Sequence, residues 1–503
     1  MRRGRNLLAA VSAFAAMFFA GNALGEVRLP NVLSSHAVLQ RDSPIHIWGW
    51  SNPGETVTVR FHDQTRSAAA NDLGIWSLWL TPERAGGPYT LTAQGSSTVT
   101  LSDMLVGDVW LASGQSNMEM PLNGFPGNAV LKNGQQEIAN ANLPTVRLLR
   151  VEQKSSYFPV NDITATWTEC TPQTAARFSA VAYFFGREIN AKEHVPIGLI
   201  DSTWGGTPVE SWISMDGISS NAALMPLFAN WAEFTDELIN RQLILAKEQH
   251  EDAAAAQANQ PKPKHPWHPD GVSWEPASLY NGMIAPETPY TIKGVIWYQG
   301  ETNSDPRRAP LYARLFPALI ADWRAKWQEG DFPFLYVQIS NFESPAEDWG
   351  TIRDAQRRTL SVADTAMAVS IDVGQKDNVH PPDKQTVGGR LALAARAMVY
   401  GETQLEYSGP LFQSATLEGS CMRIWFDHAK GGLTSHGATL DGFEIAGSDG
   451  KFVPATAKID GETVVVQAEG VNQPKAVRYG WASYTPANLF NKAELPASTF
   501  TTE

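Results

Sequence analysis

An α/β protein with a buried parallel sheet, flanked on both sides by all-β units, is the fold class this sequence predicts. Three observations carry the prediction. Short, uniformly apolar runs recur through the middle of the chain: Val109-Trp110-Leu111, Ile197 to Ile200, Val295-Ile296-Trp297, Phe334 to Val337 and Met367-Ala368-Val369. Strands apolar on both faces are the kind that helices cover from both sides. The stretches between them carry a helical period, with Val181, Phe185 and Ile189, then Leu311, Leu315, Leu319 and Trp323, repeating at four-residue spacing. Both ends of the chain lose this pattern and show short alternating runs cut by turn residues.

Taken in order, the chain opens with basic Arg2, Arg3 and Arg5, an apolar run from Leu7 to Ala20, and small residues around Ala23-Leu24-Gly25. That is the pattern of a secretory signal over residues 1–25, which predicts export to the periplasm or the medium. The run falls short of the ~20 residues that a bilayer-spanning helix needs. From 26 to about 105, Val57, Val59 and Phe61 alternate after Asn52-Pro53-Gly54, and Tyr89, Leu91 and Ala93 after Gly86-Gly87-Pro88, which predicts a β-sandwich. Residues 106–402 hold the α/β pattern, interrupted at about 215–285 by an insertion. The insertion is helix-like through Leu238, Leu245 and Lys247, fades at Ala253 to Ala256, and reads as a surface excursion walling a cleft. From 403 to 503 the β signature returns, with Asp460-Gly461 as a hairpin turn ahead of Val464-Val465-Val466 and a second sandwich expected.

With 503 residues, the chain exceeds what one hydrophobic core usually supports, so several units are expected. A net charge of -13 argues against nucleic acid or an anionic membrane as partner, because both need basic stripes. The two cysteines, Cys170 and Cys421, make no disulfide scaffold, and their pairing is left open. His265 and His268 flank Pro266-Trp267 without an obvious third ligand and read as a loop.

Four segments carry chemistry. Ser113-Gly114-Gln115-Ser116-Asn117-Met118 follows the first central strand, at the carboxyl edge where open α/β sheets place their sites. Asp377-Asn378-Val379-His380-Pro381 follows the strand through Met367 to Ile371. A serine hydroxyl needs an imidazole to take its proton, and the imidazole needs a group to fix its tautomer, so Ser116, His380 and Asp377 form a candidate set. Trp204-Gly205-Gly206-Thr207 and Tyr298-Gln299-Gly300-Glu301-Thr302-Asn303 end two other strands, where glycine N–H groups and a side-chain amide can stabilise an oxyanion.

Together these blocks resemble the SGNH hydrolase superfamily, and more closely the sialate O-acetylesterase family with its acetylxylan-esterase relatives. The resemblance spans nearly the whole chain, through GQSNMEMPL, WGGTPVESW, GVIWYQGETN and DNVHPPDKQTVGGRLA, with HAVLQRDSPIHIWGW, LYNGMIAP, VRYGWA and LPASTF outside them. It implies a flavodoxin-like three-layer α/β/α SGNH domain between two β-sandwiches, hydrolysing O-acetyl esters of a sugar through an acetyl-serine, with no metal or organic cofactor. It implies Ser116 as nucleophile, His380 as base and acid, and Asp377 as the group orienting it. The oxyanion hole would be Ser116 N–H with Gly205 or Gly206, completed by Gln299 or Asn303. Arg353 and Glu301 are the candidate substrate contacts, Arg353 as a bidentate partner for a sialic acid carboxylate. An acetylated sialic acid is the expected substrate. Acetylxylan and mere carbohydrate binding stay open as rivals, although Ser116, Asp377 and His380 are intact. An ordinary imidazole would set an apparent pKa near ~6.5.

Overall fold

The computed structural model describes residues 26–127, 130–263, 265, 268 and 270–503, so the leader expected over 1–25 lies outside the described residues. At its centre is a mixed sheet of β1 Thr98–Gly114, β2 Leu143–Arg150, β3 Trp167–Cys170, β4 Ile197–Thr203, β5 Gly294–Tyr298, β6 Phe334–Gln338 and β7 Thr365–Val369. In space they run β7-β6-β5-β1-β4-β2-β3, each neighbouring pair parallel except the edge pair β2 and β3. β4, β5, β6 and β7 are buried along their whole length, as their apolar runs require, and the polar residues Asp201, Ser202, Thr203 and Gln338 are buried at the carboxyl ends of β4 and β6.

The helices that cover this sheet and carry the site are α1 Ser116–Glu119, α2 Ala180–Glu193, α3 Pro226–Gln257, α4 Ala309–Trp327, α5 Trp349–Arg358 and α6 Lys384–Met398. Trp110 of β1 meets Phe185 of α2 edge-on, with centroids 5.0 Å apart. Trp297 of β5 pairs in register with Ser113, three residues from Trp110, and so faces the other side of the sheet. There it packs on Phe316 and Trp323 of α4 at 6.3 and 5.7 Å. The result is a three-layer α/β/α core. β1 lies between β5 and β4, where the strand order reverses, and this switch point opens a crevice at the carboxyl ends.

β1 runs for 17 residues and belongs to two units. Its first part pairs with Gly86–Gln94 and Val38–Gln40, and its second part is the central strand of the parallel sheet. The boundary expected near 105 therefore falls inside a strand. Gly86-Gly87-Pro88, read as a turn, sits at the start of the Gly86–Gln94 strand, where the register shifts through a bulge. Val57, Val59 and Phe61 are buried, as their alternation requires.

After residue 403, two four-stranded antiparallel sheets face each other. They share a core in which Ile424, Val464 and Val466 of one meet Phe443, Val477 and Phe500 of the other. Gly461, at φ +64°, makes the two-residue turn between Thr456–Asp460 and Thr463–Gln467. α3 continues unbroken for 32 residues through Ala253 to Ala256, because alanine is the strongest helix former. The loop after it returns along the helix, with His265 and His268 each 2.9 Å from a carboxylate oxygen, of Asp252 and Glu248. Cys170 and Cys421 are both free thiols.

Candidate active site

Chain direction reverses sharply after β1, at Gly114, which holds φ +132° with its α-carbon against the Tyr298 carbonyl; a β-carbon there would sit 2.2 Å from that oxygen. The next residue, Gln115, is buried and sews two site segments together, its side-chain oxygen accepting from Gly300 N and Thr302 N at 3.3 and 3.2 Å. Ser116 then opens α1, so its N–H has no intrahelical acceptor.

His380 Nε2 lies 2.8 Å from Ser116 Oγ. This is hydrogen-bond distance for a base receiving a hydroxyl proton. The histidine loop is pinned by Asn378 Oδ1, which accepts from His380 N at 3.0 Å, and the Phe125 ring meets the imidazole edge-on at 5.3 Å. Asp377 does not orient the imidazole, contrary to the sequence expectation: it is exposed, and neither a hydrogen bond nor an ion pair joins it to His380. Three residues of loop carry its carboxylate to the solvent side, and His380 Nδ1 has no partner among the described residues.

What holds the site from behind is a buried chain that sequence reasoning did not single out. Lys384 Nζ donates to Asn117 Oδ1 at 2.5 Å. Asn117 Nδ2 donates both to Glu301 Oε1 at 2.6 Å and to the Val379 carbonyl at 3.0 Å, next to the His380 imidazole. A signal for it existed in the sequence: Lys384, Val387 and Leu391 share one helical stripe, which places a lysine on the buried face of α6. Burial lowers the Lys384 ammonium to about 7, opposed by Glu301 and Asp383.

Of the expected oxyanion donors, Gly205 N–H is engaged, donating at 2.6 Å to the Glu119 carboxylate. Ser116 N–H and Gly206 N–H have no acceptor among the described residues. Neither amide proposed to complete the hole is available as expected. Gln299 is fully buried, with Nε2 donating to Thr207 O and Asn303 Oδ1 and Oε1 accepting from Tyr312. Asn303, also fully buried, donates to Glu210 at 2.8 Å and accepts from Val209 N at 2.9 Å. Both tie the β5 loop to the Thr207–Glu210 segment and shape the hole indirectly.

Arg353 is likewise corrected as a substrate contact. It is wholly buried, and all three guanidinium nitrogens donate to carbonyls of Ile339, Ser340, Gly480, Ala482 and Ser483 and to Asn341 Oδ1. Glu301, by contrast, borders a cleft of about 270 Å³, walled by Trp231 and Phe234 of α3 and by Trp274. The insertion therefore does wall a cleft.

Burial, reinforced by the charge of Lys384, lowers the His380 imidazole to about 4. If His380 is the base, only its neutral ring can accept the Ser116 proton, so activity falls progressively as pH drops through that value and is full above it. We expect kcat/KM on a small neutral acetyl ester to rise through an apparent pKa of about 4 and to stay level over roughly pH 5 to 8. A rise centred near ~6.5 would show that the imidazole is solvated in the working enzyme.

Comparison with known proteins follows the same lines. A family model described as a carbohydrate esterase, sialic acid-specific acetylesterase, matches residues 265–397. A sialate O-acetylesterase from Mus musculus is 30% identical over 502 residues, covering 91% of this chain and 90% of the mouse protein. The Homo sapiens sialate O-acetylesterase is 32% identical over 425 residues, covering 76% of this chain and 73% of its own. The crystal structure of a carbohydrate acetylesterase from Xanthomonas citri superposes with a TM-score of 0.80 at 38% identity, covering 95% of this chain and 99% of that one.

Proposed function

The chain belongs to the sialate O-acetylesterase family, a family of carboxylic ester hydrolases, and from that premise we propose that it removes O-acetyl groups from sialic acid with Ser116 as nucleophile and His380 as base and acid. The observation that carries the assignment of roles is the 2.8 Å contact between Ser116 Oγ and His380 Nε2 at the switch point of the sheet.

Ser116 Oγ attacks the acetyl carbonyl carbon while its proton passes to His380 Nε2. The negative charge that builds on the carbonyl oxygen is met by Ser116 N–H and Gly206 N–H. Collapse breaks the bond to the sugar oxygen, which takes the proton from His380, and the acetyl group stays on Ser116. Water then attacks the acetyl-serine, giving one proton to His380. Acetic acid leaves as His380 returns that proton to Ser116 Oγ, and it ionises to acetate by giving its remaining proton to solvent. Ser116 and His380 act as a dyad, with the imidazole placed by its loop and by Asn117 beneath Val379 rather than by a carboxylate.

The basic and apolar leader over residues 1–25 supports export to the periplasm or the medium. Among the described residues no helix is long and apolar enough to cross a membrane.

The direct test is acetate release by the purified protein from O-acetylated sialic acid and from acetylated xylo-oligosaccharide. The expected result is higher kcat/KM on the sialic acid. The reverse order would transfer the enzyme to acetylated plant polysaccharide, and binding without release would remove the catalytic reading.

A further inference from the structure

The cleft beside Glu301 has a composition that the deacetylation chemistry does not require. Its walls carry five carboxylates against two guanidiniums, and both guanidiniums are already paired. Arg308 donates to Glu210 at 2.7 Å, and Arg307 reaches Asp305 at 3.0 Å and Glu233 at 3.1 Å. A sugar bearing its own carboxylate would meet net negative charge here. A neutral sugar would not: its hydroxyls are donors for the acidic wall.

Two further observations point to a guest. Glu301 Oε2 is buried and has no hydrogen-bond partner among the described residues, although Glu301 borders the cleft. An unpaired buried acceptor is costly unless a ligand supplies a donor. The same cleft has an aromatic wall: Trp231 and Phe234 have ring centroids 5.5 Å apart, and Phe234 stacks at 4.6 Å on Trp274, whose ring also carries the Arg308 guanidinium at 4.4 Å. All three are half-buried. Aromatic faces are electron-rich and suit the polarised C–H face of a pyranose. At about 270 Å³ the space is at the small end for a ligand pocket and has room for one ring.

The cleft is joined to the catalytic serine on two sides. Trp274 Nε1 donates to the Gly206 carbonyl at 2.6 Å, beside the oxyanion donor. Glu301 accepts from Asn117, the neighbour of Ser116.

We propose that this cleft is a second sugar subsite holding a neutral pyranose next to the acetylated sialic acid, so that the preferred substrate is a sialoglycan rather than the free sugar. The inference rests on the sialate reading above and specifies its substrate.

The test compares O-acetylated sialyl-lactose, free O-acetylated sialic acid and a small neutral acetyl ester, using wild type, Trp231→Ala and Trp231→Phe. Wild type is expected to favour the sialyl-lactose over the free acid by about tenfold in kcat/KM. Trp231→Ala should abolish that preference through KM, and Trp231→Phe should restore most of it. Turnover of the small ester reports an intact fold in each variant and should not change. Equal efficiency of wild type on both sialic acid substrates, or equal losses on all three in Trp231→Ala, overturns the subsite. Hydrolysis of the small ester without acetate release from either sialic acid substrate overturns the sialate reading itself, an outcome distinct from failure of the cleft alone.

Discussion

Replacement of either Ser116 or His380 by alanine is expected to lower kcat by about four powers of ten or more, with the double variant no worse than either single. In the proposed mechanism the two groups form one proton-transfer unit, their Oγ and Nε2 atoms 2.8 Å apart, so once one is gone the other contributes nothing further. Measured kcat for both singles and the double decides the matter. Losses that multiply in the double would mean that Ser116 and His380 act in separate steps. The same experiment with Asp377→Asn should leave kcat within about a factor of two, since the carboxylate makes no contact with the imidazole and no stabilisation is lost with it. A loss of a hundredfold or more in that variant would restore a triad through a loop rearrangement.

The contrast between Asp377 and His380 shows where sequence information ends. The pairing of Ser116 with His380 follows from strand order: both lie at carboxyl ends of strands in one parallel sheet, and the apolar runs of those strands are a local signal. Which way a side chain turns within a loop is not local. Asp377 was a reasonable partner by proximity in sequence, and the loop turned it outward. The same holds for Gln299 and Asn303, where residue type fits an oxyanion donor but Gln299 donates to Asn303 and to Thr207, and Asn303 to Glu210, the last two on another segment. Lys384 was legible in principle because a charge on an apolar helical stripe stands out. The continuity of β1 across two units was not, because nothing in Thr98 to Gly114 marks where its partners change. The family resemblance implied the fold and the pairing of Ser116 with His380; in the structure the His380 loop rests on Asn117 through the Val379 carbonyl, and Asp377 makes no contact with the imidazole.

Arg353 gives the last expected result, and it reverses the role read from the sequence. α5 is strongly polar, and Arg353, Asp354, Gln356 and Arg357 look like a solvated face. The C-terminal β unit covers that face. Arg353 links the ends of β6 and the 480–483 segment through five carbonyls and Asn341, with its guanidinium 5.5 Å from the Trp349 ring centre. Removing it leaves the buried Ile339 and Ser340 carbonyls without that donor, while Gly480 and Ser483 keep donors from Thr499 and Phe342. An unpaired buried polar group costs about 1–3 kcal/mol, and loss of one member of a buried charged network about 3–5 kcal/mol. Set against a total stability of ~5–15 kcal/mol, this is a large fraction. We therefore expect Arg353→Ala to lower the urea midpoint strongly and to reduce soluble yield. Arg353→Lys should recover little, because an ammonium has three donors and no planar fork. Among molecules that remain folded, kcat/KM on acetylated sialic acid and on a small neutral ester should fall together. An unchanged unfolding midpoint, combined with a KM increase confined to the acetylated sialic acid, would return Arg353 to the substrate and require the 480–483 segment to move away from it in solution.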